Sequence, residues 1–77
     1  MPNNKKLYTL SDNQYEALVL AAKPIYVPGH FQEKIPQDPT ARVNLVWEYI
    51  GRELRIKWMT AEPAKNGNKK DFYAEPL

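Results

Sequence analysis

The chain has 77 residues, 43% of them hydrophobic, with no cysteine, one histidine and seven prolines. Its 11 Lys and Arg stand against nine Asp and Glu, for a net charge of +2. Disulfides and Cys-based zinc sites are thereby excluded, and His30 alone cannot form a His–His metal pair. No apolar run approaches the roughly 18 residues of a membrane span, and Met1–Lys6 lacks the apolar core of a signal peptide. The expectation is a cytoplasmic protein with no cofactor and no membrane partner, folded as one small domain over 1–77. A core this small rarely supplies more than a few kcal/mol without a metal or disulfide, so association with a partner or with itself is expected.

Leu7–Leu10 reads as a short strand. Ser11 and Gln14 then form a capping box, in which the hydroxyl accepts from an orphan N–H and the amide reaches back. Leu10 and Tyr15 occupy the staple positions around that cap. Tyr15, Leu18, Val19 and Ala22 recur at i, i+3, i+4 and i+7, predicting a helix over 12–23 with an apolar stripe on those residues. Pro24 ends it, since it lacks an N–H and disfavours helical geometry at Lys23. This capped helix is similar to the first helix of a helix-turn-helix unit, but Pro24, Pro28 and Gly29 occupy the place of the second.

Residues 24–42 fit neither helical nor strand period. Ile25-Tyr26-Val27 reads as a short edge strand, and the remainder as a loop longer than structureless loops usually are.

Residues 43–60 support two readings. In the helical one, Asp38 is the N-cap and Pro39 lies in the first turn. Val43, Val46, Trp47, Ile50, Leu54 and Trp58 form the stripe, and Gly51 in the middle costs about 1 kcal/mol relative to Ala. In the hairpin reading, Gly51-Arg52 is a two-residue turn with Gly first. It opposes Tyr49 to Leu54, Trp47 to Ile56 and Leu45 to Trp58 on an apolar face, with Glu48 against Arg55 on the other. The β-branched and aromatic composition favours the hairpin.

Asn66-Gly67 is a second turn signal, able to return 71–74 alongside 59–62, the alternative being a flexible tail. Segments 1–5 and 64–70 are expected to be mobile. The fold class expected is α+β: one N-terminal capped helix on a small, mainly antiparallel sheet, made of hairpin 43–60, a strand near 7–10 and the candidate strand 71–74.

Catalytic constellations are missing. There is no Gly-rich phosphate loop and no HExxH spacing, and His30 lies in Pro28-Gly29-His30-Phe31 with no carboxylate placed to orient it. Ser11 is accounted for as a cap, and Glu48 and Glu53 as charge partners of basic neighbours. Trp47, Trp58, Tyr49, Tyr8 and Tyr15 could serve as a stacking platform for single-stranded nucleic acid, but a chain this small needs them for its core.

The expectation is therefore a non-enzymatic accessory protein, of adaptor or inhibitor type, acting through protein–protein binding. Its candidate contacts are Tyr26, His30 and Phe31 in the proline-rich connector, and Val46, Ile50 and Met59 on the outer face of the hairpin. The alternative is nucleic-acid binding through Lys5, Lys6, Arg42, Lys65, Lys69 and Lys70. Against it, the small net charge and the interleaving of Glu48 and Glu53 with Arg52, Arg55 and Lys57 lack the clustered excess of a dedicated nucleic-acid binder.

Overall fold

A computed structural model of the chain describes residues 4–77. Two helices and three strands follow in the order β1 (Lys6–Thr9), α1 (Asp12–Ala22), α2 (Pro39–Leu54), β2 (Ile56–Pro63) and β3 (Asp71–Pro76). The strands form one antiparallel sheet in the order β1-β3-β2, so the last strand lies in the middle. The class is α+β, with two helices where the sequence suggested one.

α1 begins as its cap dictates. Gln14 N–H donates to Ser11 Oγ at 3.1 Å, and Ser11 N–H donates to Gln14 Oε1 at 2.9 Å. Leu10 is buried and Tyr15 packs against the core, as the staple requires. The inward stripe is turned from the one expected: Gln14, Ala17 and Leu18 are half-buried and Ala21 buried, while Val19 and Ala22 are exposed. α1 packs chiefly on α2, and α2 is the helix that contacts the sheet, through β2.

The hairpin over 43–60 does not form. The segment is helical to Leu54, reverses at Arg55 in the left-handed region (φ 55°, ψ 52°), and becomes strand from Ile56. Asp38 accepts from the Thr40 N–H and Pro39 sits in the first turn, so the helix has a start signal that a strand would leave unused. Val46, Trp47, Ile50 and Leu54 point inward at helical spacing, and Tyr49, off that stripe, is exposed. Local β preference yields here to burial of a helical stripe.

β3 returns beside β2 with Glu62 opposite Tyr73 and Pro63 opposite Phe72, close to the expected pairing of 59–62 with 71–74. Between Lys57 and Glu62 the register shifts. The Thr60 hydroxyl fills the irregularity, donating to the Lys57 carbonyl at 2.8 Å and accepting from the Glu75 N–H at 2.9 Å. The inner sheet face carries Tyr8, Ile56, Phe72 and Ala74; with Leu10 and Ile50 they make the core. Trp47 meets the Phe72 ring edge-on at 5.2 Å between centroids, and Tyr8 stacks on it at 5.8 Å. The opposite face displays Leu7 beside Tyr73, both exposed. Its free edges suit a sheet that avoids further pairing: β1 has four residues beginning at Lys6, and β2 ends on Pro63.

Candidate functional site

The connector between the helices is the first candidate surface. Ile25-Tyr26-Val27 forms no strand; a single 3-10 turn, Gly29–Phe31, is the only regular element between Ala22 and Pro39. Val27 is buried, and its carbonyl accepts from the side-chain amides of Gln32 and Gln37 at 3.4 and 3.0 Å. With Val27 turned inward, Tyr26 is turned out and is 83% exposed. His30 and Phe31 are exposed beside it, their rings 4.1 Å apart between centroids. The His30 ring has no carboxylate bonded to it, and the described residues contain no group of three or more His, Cys, Asp or Glu able to hold a metal.

Arg42 holds this connector in place. It is a buried charged side chain, 4% exposed. Its Nε donates to the Ala21 carbonyl at 3.0 Å, Nη1 to the carbonyls of Pro36 (2.9 Å) and Gln37, and Nη2 to that of Lys23. Two of these oxygens belong to the end of α1 and two to the end of the connector, so one guanidinium closes the loop at both ends. A cation there also suits the negative end of the α1 dipole, whose last turn contains no basic residue of its own. Arg42 is thus removed from the proposed nucleic-acid contacts. Sequence reading missed this because a lone Arg in a polar stretch reads as surface.

The hairpin-face candidates come apart. Ile50 is 1% exposed and belongs to the core, and Val46 packs against that core from α2. Both were placed outward only by strand alternation. Val46 is half-buried, and Met59 is the one of the three that is well exposed, by 73%, in a cleft with Trp58, Leu77 and Glu48.

The lysines do not form one surface. Lys5 and Lys6 share a cleft with Lys57 and Glu75, while Lys65 and Lys69 line another beside Gly67. Lys5 pairs with Glu62 at 2.5 Å, and Lys70 pairs with Asp12 at the start of α1. Of the segment 1–5, residues 1–3 lie outside the described residues. Segment 64–70 carries a set of turn bonds. The Asn66 side chain accepts from the Asn68 N–H, the Asn68 side chain from the Lys70 N–H, and both amides donate to the Asp71 carboxylate. Thr9 donates to the same carboxylate at 2.6 Å, fastening the turn to β1.

A small apolar pocket of about 130 Å³ opens where α1, α2 and the sheet meet. Leu10, Tyr15, Leu18, Trp47, Ala61 and Phe72 line it, with Glu62, Lys69 and Asp71 as its charged members. Its volume is close to the roughly 150 Å³ of an apolar cavity that admits one benzene ring.

Three exposed carboxylates sit below their ordinary pKa: Asp12 through its bond to and charge attraction by Lys70, Glu62 through Lys5, and Asp71 through hydrogen bonds from Thr9 and Asn66. A carboxyl group with a depressed folded-state pKa stabilises the fold above its unfolded pKa, and that contribution is lost as pH falls through the folded value. The melting temperature should therefore fall as pH drops below about 4.5, from the unfolded carboxylate range downward. Asp71→Asn should shrink that fall, measured by thermal melts across pH. An equal fall in the variant would contradict the assignment to Asp71.

No helix among the described residues is long and apolar enough to cross a membrane. No protein-family model matches the chain, and no curated protein or solved structure matches it.

Proposed function

We propose that the protein is a non-enzymatic accessory protein of the cytoplasm, of adaptor or inhibitor type, that binds another protein through the connector between its two helices. The observation that carries this reading is the display of Tyr26, His30 and Phe31 on a backbone held from beneath by Val27 and Arg42. Exposed aromatic side chains offer large contact area with few rotatable bonds. A backbone already fixed by prolines and by the Arg42 clamp loses little further freedom on binding. The dispersal of the lysines, and the use of Arg42 inside the fold, weigh against nucleic acid as the partner.

The test is affinity capture from the native host with mass spectrometry, comparing the wild type with Tyr26→Ser/Phe31→Ser. Both side chains are exposed, so the double variant should melt within a degree or two of the wild type. It should also lose a discrete protein retained by the wild type. An identical captured set, or nuclease-sensitive material alone, would overturn the proposal.

A further inference from the structure

The outer side of α1 carries a pattern that its own chain does not use. Glu16, Val19, Leu20 and Lys23 follow at i, i+3, i+4 and i+7, on the side of the helix away from Gln14, Ala17, Leu18 and Ala21. All four are exposed, Val19 by 38% and Leu20 by 52%. The backbone of Lys23 is fixed, its N–H capping α1 on the Leu20 carbonyl and its own carbonyl held by Arg42. Its ammonium, like the Glu16 carboxylate, has no ion-pair partner among the described residues.

We propose that this face is the contact of a two-fold symmetric homodimer, in which α1 lies antiparallel to α1 of a second copy. The pattern reads the same from either end with its charges exchanged. An axis through the midpoint between Val19 and Leu20 sets Val19 of one copy against Leu20 of the other. The same axis sets Glu16 against Lys23, and symmetry makes each contact twice. Glu16 and Lys23 are seven residues apart, about 10 Å along the axis, so two ion pairs bracket a dry centre of two valines and two leucines. Antiparallel apposition also opposes the two helix dipoles favourably. A hetero-partner would require no such self-complementarity, and this is what selects a second copy as the occupant.

The inference does not depend on the connector as a binding face, because none of its four residues lies in the connector's exposed aromatic cluster.

Sedimentation equilibrium of the full chain, from micromolar to about 1 mM, tests it. The wild type should pass from monomer to dimer mass over that range. Glu16→Lys or Lys23→Glu each turns two attractions into two repulsions and should weaken the dimer by about tenfold at low salt. The combined charge exchange, E16K/K23E, should restore association to within about threefold of the wild type. Circular dichroism melts confirm that each variant is folded. A wild type that remains monomeric, a dimer indifferent to the single reversals, or a charge exchange no better than the weaker single variant would each overturn the proposal. None of these outcomes touches capture of a different protein through Tyr26 and Phe31, so the two readings fail separately.

Discussion

Replacing Arg42 by alanine is expected to lower the stability by about 3–4 kcal/mol, because it removes a buried charged donor. Four carbonyls, of Ala21, Lys23, Pro36 and Gln37, lose a charged donor at once. Hydrogen bonds to charged groups contribute about 1.5–3 kcal/mol each where they stay buried, and rehydration of some of these oxygens keeps the total below the simple sum. A chain of 77 residues has about 4–12 kcal/mol in all, so the loss ranges from about a third of that stability to nearly all of it. Arg42→Lys keeps the charge but not the planar fork, and its three donors cannot serve four oxygens on two segments; about half the loss is expected. Urea denaturation gives the magnitudes. Limited proteolysis should show new cleavage within 24–37, because the clamp joins both ends of that segment. Stability within 1 kcal/mol of wild type, with no new cleavage, would show that the connector is held by something other than this guanidinium.

The second large effect is at Gly51. A Cβ built there stands 3.2 Å from the Ile56 carbonyl oxygen and 3.4 Å from both Cβ and Cδ1 of Trp58. Gly51→Ala sets a propensity gain of about 1 kcal/mol against that squeeze, and the two should nearly cancel. Gly51→Val adds branches that drive into the Ile56 backbone and the Trp58 side chain, and should cost about 2 kcal/mol in spite of better helix propensity. Chemical denaturation of the pair decides it. If Gly51→Val were the more stable, the glycine would not be explained by the approach of β2 to α2.

The same glycine explains why the sequence misleads between 43 and 60. In isolation, a Gly between Ile50 and Arg52, flanked by Trp, Tyr and Ile, has the look of a turn between strands. Its purpose is visible only once α2 and β2 lie against each other, with Trp58 crossing the helix where a side chain would stand. Strand alternation then misplaced Ile50 and Val46 outward, while the helical period that places them inward was present in the same residues. The caps were the better guide. Asp38 and Pro39 mark the start of α2 as Ser11 and Gln14 mark that of α1, because a cap satisfies specific orphan N–H groups that only a helix creates.

The candidate surfaces divide similarly. Tyr26, His30 and Phe31 could be singled out from proline spacing and aromatic content, and all three are exposed. Met59 is exposed for a different reason from the one expected, as part of β2 beside a register shift. Arg42 changed from a surface charge to an internal clamp, and Leu20 emerged as outward-facing once α1 settled on α2.

By itself, the sequence determined the start of α1, the exclusion of disulfide and cysteine-zinc chemistry, and the α+β class; the Asp38-Pro39 start of α2 and the Asn66-Gly67 turn were present as local signals, the first outweighed by the hairpin pattern and the second open to a flexible tail. Each follows from hydrogen-bond geometry or residue inventory that no distant contact can change. Tertiary structure alone decided where α2 gives way to β2, which side of α1 faces water, and that β3 fills the centre of the sheet. Those outcomes depend on which apolar surfaces meet across long separations, and burial against a partner outweighs the fraction of a kcal/mol by which local preferences differ.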